Sequence, residues 1–156
     1  MSRLTVTPQG DALMLAGSID ETADLMGLLG QARGGRLALD LGGVTFINSL
    51  GVRDWIRMQG EATRARVAIE LRRVSEPIIH QLNMIIATRG TARVTSFFAP
   101  YACDACGREE SLLVDAVANA AGLAQLVPPQ MPCPECGAQM AFNDFPERYF
   151  SFLVAS

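Results

Sequence analysis

The chain contains no lysine; all 13 of its basic side chains are arginine. That absence excludes a Walker A phosphate loop and any Schiff-base lysine. Histidine is nearly absent too, with His80 alone, which leaves little material for proton transfer near neutral pH. His80 stands in the apolar helical stretch Pro77-Ile78-Ile79-His80-Gln81-Leu82 and reads as a packed or rim residue. No apolar run approaches the length of a membrane span, and none follows the start Met1-Ser2-Arg3-Leu4 as a secretory leader would require. A cytoplasmic protein with no membrane contact is the expectation. No pair of carboxylates and no nucleophile–base set can be placed, so no enzyme is expected either. The arginine bias and the abundant alanine fit a GC-rich bacterial genome.

Nearly half of the 156 residues are apolar, enough for a real core. The net charge is −3, but it is unevenly spread. Residues 1–96 carry eleven arginines against nine acids, whereas residues 97–156 carry only Arg108 and Arg148 against seven acids. Aromatic residues shift at the same place: Phe46 and Trp55 precede Phe97, and eight stand from Phe97 onward. Both shifts put a boundary near Phe97–Tyr101, dividing the chain into residues 1–98 and 99–156.

The second part holds all four cysteines, in the knuckles Cys103-Asp104-Ala105-Cys106-Gly107 and Cys133-Pro134-Glu135-Cys136-Gly137. Two thiolates on each tight turn, brought together, close a tetrahedral four-sulfur site around one ion. The trailing glycines suit a backbone that curls so that amide N–H groups face the sulfurs. Disulfides would require an oxidising compartment. Zinc is the expected ion. Iron is the rival, since rubredoxins also pair Cys-x-x-Cys-Gly knuckles, the second with proline after its first cysteine, and spacing alone does not separate the two metals. With every coordination position filled by sulfur, such a site holds a fold together and does not polarise a substrate.

Alternating patterns predict strands at Leu4–Thr7, Ala12–Ile19, Leu37–Leu41, Val67–Leu71 and Ala92–Phe98. Between them the sequence predicts a helix capped by Asp20 and ended by Gly34-Gly35, and a loop from Gly42 feeding a helix capped by Asn48 or Ser49 and running to Arg64. A third helix starts at Ser75 or Glu76-Pro77 and runs to Met84 or Ile86. This is an α/β layer: a mixed sheet of four or five strands with helices packed on it. A small zinc-ribbon-like β module follows, with strands near Glu110–Val117 and Met140–Phe142. An aromatic helix begins at Pro146 and reaches Leu153.

Two signatures in residues 4–96 carry a family resemblance. The first is Gly17-Ser18-Ile19-Asp20; the second is Leu39-Asp40-Leu41 followed by Val44-Thr45-Phe46-Ile47-Asn48-Ser49-Leu50-Gly51-Val52. With the order of elements they resemble the STAS domain of bacterial anti-sigma-factor antagonists, also found on sulfate transporters. In that family the Ser or Thr before the motif glycine is phosphorylated, which places a dianion at a helix N-terminus. Here that position is Leu50, and Asn48 stands where the family has aspartate. The resemblance implies a binding surface at Asp20, Asn48, Ser49, Leu50, Arg53 and Asp54, with the usual switch lost. Ser49 remains as a cap or an alternative phosphoacceptor. Leu50 is either an exposed anchor or part of the core, and Trp55 is read as core rather than interface.

The implied function is non-catalytic protein interaction in bacterial signalling, with a sigma-factor regulator or kinase relative as partner and homodimerisation left open. Nucleic acid is not expected. The acidic second part, with a metal–thiolate centre adding further negative charge, would repel phosphates. The arginines at 53, 57, 64, 66, 72 and 73 are interspersed with acids and read as solvated faces.

Overall fold

The computed structural model describes residues 3–153, so the start of the chain at Met1-Ser2 and the last three residues of the 99–156 part lie outside the described residues. Strand β1 (Thr5–Gln9) turns at Gly10-Asp11 into β2 (Ala12–Ile19), and the two pair antiparallel. Strands β3 (Arg36–Ile47), β4 (Ala68–Arg72) and β5 (Arg93–Val94) then join in parallel, giving a mixed sheet in the order β1-β2-β3-β4-β5. Parallel pairing needs crossovers, and α1 (Met26–Leu29), α2 (Ser49–Arg64) and α3 (Glu76–Met84) lie within them. A 3₁₀ turn at Ile86–Thr88 follows α3.

Alternate residues of the strands point to one face. Leu13, Leu15, Leu37, Leu39, Leu41, Ile69 and Leu71 are buried, as are Trp55, Met58 and Ala62 of α2 and Ile78, Ile79 and Leu82 of α3. A period of two on the sheet thus meets a period of 3.6 on the helices. Trp55 is core, as expected, with its indole Nε1 donating to the Thr88 carbonyl at 2.8 Å. Gln59, also buried, donates to the same oxygen at 3.2 Å.

Three elements in the first ninety-eight residues differ from expectation. The first helix is a single turn, and Asp20 does not cap it: its carboxylate accepts from the backbone N–H of Thr22 at 2.9 Å. The N-cap position is Leu25, and Asp24 just before it accepts from Gly27 N–H at 3.0 Å. Gly27 and Gly30 within so short a segment keep the helix from extending to Gly34. Secondly, β3 runs on through Ile47, because Gly42-Gly43 is strand and not loop: Gly43 pairs with Ala16 and Ile47 with Ile19, with one register shift between them. Thirdly, the expected fifth strand splits at Thr95, and β6 (Ser96–Ala102) belongs to a second sheet.

That second sheet is antiparallel and curled, in the order β7-β6-β9-β8, with β7 (Glu109–Asp115), β8 (Met131–Pro132) and β9 (Gln139–Phe142). A short α4 (Ala120–Ala124) lies between β7 and β8. Pro146 opens α5 (Pro146–Tyr149), which yields to a 3₁₀ turn at Ser151–Leu153 where a continuous helix was expected. The sheets are joined by a parallel bridge between Val74 and Phe97, with the Phe98 N–H donating to the Val74 carbonyl at 2.9 Å. Phe97, fully buried, packs against Tyr149, Phe150 and Phe152 with ring centroids 6.4, 6.0 and 5.1 Å away. Asn83 of α3 ties the C-terminal turn down, donating to the Tyr149 carbonyl at 3.0 Å and accepting from Ser151 Oγ at 2.8 Å. The 98/99 boundary therefore falls inside β6, and one buried apolar cluster runs through both sheets.

Candidate metal centre and helix-start surface

The two knuckles repeat each other atom for atom. Cys103 N–H donates to the Arg108 carbonyl at 2.8 Å and Gly107 N–H to the Cys103 carbonyl at 2.8 Å. In the second knuckle the matching bonds are Cys133 to Ala138 at 2.7 Å and Gly137 to Cys133 at 2.9 Å. Gly107 and Gly137 both sit at φ 77°, a left-handed conformation in which any Cβ would be strained. The glycines expected to curl the backbone do so.

β6 delivers the first knuckle and the β8–β9 hairpin the second, and the β6–β9 pairing sets them face to face. All four sulfurs lie within 4.8 Å of one another. Cys103 Sγ stands 3.5 Å from Cys136 Sγ, and Cys106 Sγ stands 3.7 Å from Cys133 Sγ. These separations are far longer than a disulfide of about 2 Å. They are close to the edge of about 3.8 Å that four sulfurs describe at about 2.3 Å from a central ion. The quartet can hold a metal ion. Cys103 and Cys133 are buried and Cys106 and Cys136 exposed, so the site lies at the surface with one wall inside the core.

Electrostatics point the same way. The backbone N–H of Cys136, aided by that of Glu135, draws the Cys133 thiol down to about 7. The Arg108 N–H likewise favours the Cys106 thiolate, but hydrogen bonding with the other three cysteines raises that thiol to about 12. One thiolate is supported by the knuckle amides, and four together need a cation between them. Outside the sulfurs, Arg108 clasps the knuckles together, pairing with Glu110 at 3.2 Å and with Glu135 at 3.4 Å.

The residues expected to form a partner surface cluster at the other candidate site, the start of α2. Asn48, and not Ser49, is the cap: its Oδ1 accepts from Gly51 N–H at 2.9 Å. Its Nδ2 donates to Glu21 Oε2 at 3.0 Å, which fixes the loop after β2 against the helix start. Asp20 lies in that loop, and Asn48 N–H bonds the Ile19 carbonyl beside it at 3.2 Å. Ser49 is exposed, and Leu50 is 39% exposed, so Leu50 does not fold into the core. Arg53 and Asp54 pair with each other at 3.1 Å one turn along. Glu21 was not named as a site residue from sequence, and Gly51 entered only as the motif glycine. Gly51 is needed because a Cβ there would collide with the Ile19 carbonyl oxygen. A glycine one turn into a capped helix was the available signal. His80, exposed and edge-on to Tyr149 at 6.1 Å, is a rim residue as expected.

No protein-family model matches the chain, and no curated protein sequence is significantly similar to it. Among the described residues no helix is long and apolar enough to cross a membrane.

Proposed function

We propose that the chain is a non-catalytic, STAS-like protein-interaction module of bacterial signalling, extended by a zinc-ribbon-like unit whose four cysteines hold a structural zinc ion. The observation that carries the docking reading is the first turn of α2. Asn48 occupies the cap and spans to Glu21, which leaves Ser49 and Leu50 turned outward beside Asp20. A hydrophobic anchor ringed by polar groups suits a constitutive contact with a cytoplasmic sigma-factor regulator or kinase relative. The order β1 to β5 with α2 following β3 agrees with the resemblance. At the metal centre every sulfur is engaged, so the ion would staple the module and leave no position for substrate. The test is affinity capture from the native bacterium with wild-type chain and Leu50→Asp. A kinase-like or sigma-regulating protein should be recovered by the first and lost with the second; equal recovery by both contradicts the reading.

A second reading is favoured by Ser49 itself. Because Asn48 is the cap, the Ser49 hydroxyl is exposed at the helix start, where a phosphate would meet the positive end of the dipole. Incubation with a cognate kinase followed by peptide mapping decides it, and an unmodified Ser49 removes it. For the metal, a colourless protein with zinc by elemental analysis separates the structural reading from a rubredoxin-like iron centre.

A further inference from the structure

The end of the five-strand sheet farthest from the α2 start carries charge that the docking surface above does not use. Strands β3, β4 and β5 begin there side by side, with Arg36 opening β3 and Arg93 opening β5. A cleft of about 900 Å³ lies around these starts, edged by Arg33, Arg36 and Arg93 over a floor that includes Ala12, Leu37 and Ala38. Arg72 also reaches it, but Asp11 grips that guanidinium at 2.8 and 2.9 Å and Glu70 pairs with it as well.

Elsewhere the arginines are mostly answered by acids. Arg53, Arg57, Arg64, Arg72, Arg73, Arg108 and Arg148 each have an acidic partner. Of the six without one among the described residues, Arg33, Arg36 and Arg93 line this single cleft. Arg66 is placed near this end by its backbone. It closes α2 at φ 58°, where glycine or asparagine is the unstrained choice, and its carbonyl lies beside Gly35 of the turn that leads into β3.

The spacing says what kind of anion fits. Arg36 pairs with Ala68 and Arg93 with Glu70, on opposite sides of β4. Their Cα atoms are thus roughly 10–12 Å apart from strand separation and rise. A single small anion would fill little of a cleft of about 900 Å³, whereas carboxylates two or three residues apart on an extended chain, at about 3.3 Å per residue, give each guanidinium its own partner. The apolar floor has room for the side chains between them. Of the molecule's own acids, Asp11 and Glu70 line the cleft and are taken up by Arg72, while β6, continuing in the direction of β4, carries the acidic part of the chain to the opposite end.

We propose that this cleft docks an extended, carboxylate-rich segment of a partner protein. It is a second interaction surface, separate from the α2 start, and would let the chain bridge two partners. Arginine forks reading carboxylates supply the recognition, and the attraction weakens as salt screens it.

The test is fluorescence anisotropy of the full-length chain, as purified, with a short labelled peptide alternating glutamate with leucine. Saturable binding that falls steeply with salt is expected. The triple variant Arg33→Gln, Arg36→Gln, Arg93→Gln should bind roughly tenfold more weakly or worse, whereas the charge-matched Arg57→Gln, Arg64→Gln, Arg148→Gln should stay within about twofold. Should the triple variant lose its fold by circular dichroism, Arg93→Gln alone, on the exposed start of β5, should still weaken binding by about two- to threefold. The proposal is overturned if the wild-type chain ignores the peptide or if both triple variants lose equally. It is also overturned if pyrophosphate displaces the peptide far better than free glutamate does, or if sedimentation shows that the cleft arginines serve self-association instead.

Discussion

In the helix-backed sheet, Leu15, Ile19, Leu39, Leu41, Trp55 and Met58 are each 2% exposed or less, drawn from strands and a helix that lie far apart in sequence. The curled sheet has a different interior. Its inner residues are Tyr101, Met140, Tyr149, Phe150 and two of the four cysteines, and its strands are as short as the two-residue β8. The first region closes its core with ordinary aliphatic packing. The second has aromatic rings where it meets α3, a sulfur quartet at its far end, and between them a few smaller groups such as Ala99, Val114, Leu123 and Met140. About sixty residues seldom bury enough surface to be stable alone. The lesson is that the small sheet is held at two ends: by a sulfur quartet able to take an ion at one, and by its neighbour's core, through Phe97, at the other.

Cutting the first attachment should have the largest effect. A structural metal in a small domain contributes on the order of 10 kcal/mol. Cys103→Ser with Cys133→Ser, or a strong chelator, should remove hydrogen-exchange protection at Cys103, Gly107, Cys133 and Gly137 while amides in β3 and α2 stay protected. Acid should do the same, since the sulfurs must be deprotonated to bind. Loss of protection in both regions together would erase the distinction between them.

Cutting the second attachment comes next. Phe97→Ala removes a fully buried ring from the junction and should cost about 3–5 kcal/mol. Urea unfolding followed by Trp55 fluorescence, with protection of β9 amides measured alongside, should show both sheets weakened. If only one weakens, the shared core is not shared in energy.

Asn48→Ala should cost about 1 kcal/mol through the lost cap, confined to the helix-backed region and leaving metal content unchanged. The smallest effect concerns pH. The Arg72 guanidinium, hydrogen-bonded to Asp11, holds that carboxyl at about 2, well below the usual aspartate range. Its folded value is depressed, so its small contribution is present above the unfolded value of about 4 and is lost as pH falls toward about 2. Asp11→Asn should flatten the pH dependence of the thermal midpoint in that window only; an unchanged profile would show that this exposed pair contributes nothing.

How much of this was legible in sequence differs between the regions for physical reasons. The cysteine cluster was, because a four-sulfur site demands a fixed spacing and a curled backbone, and both are local: Cys-x-x-Cys-Gly twice over. Strand alternation and the α2 cap were also local. What depends on contacts between distant residues was not. Gly42-Gly43 looks like a loop, yet a Cβ on Gly43 would crowd Ala16 and one on Gly42 would meet the Arg73 guanidinium, so these glycines let β3 pass close to its neighbours. Arg73 itself lies over the Phe98 ring at 5.4 Å, a contact between the two sheets with no signature in spacing. The cleft arginines likewise belong to three separate segments that only the parallel sheet brings together.

The most direct test of the central claim, that the four sulfurs grip one ion and thereby order the curled sheet, is metal content by elemental analysis of the purified chain beside the Cys103→Ser, Cys133→Ser variant, with amide exchange of both. One ion per chain is expected in the first and none in the second, together with loss of protection around both knuckles. A metal-free wild-type chain whose knuckle amides stay fully protected would contradict it.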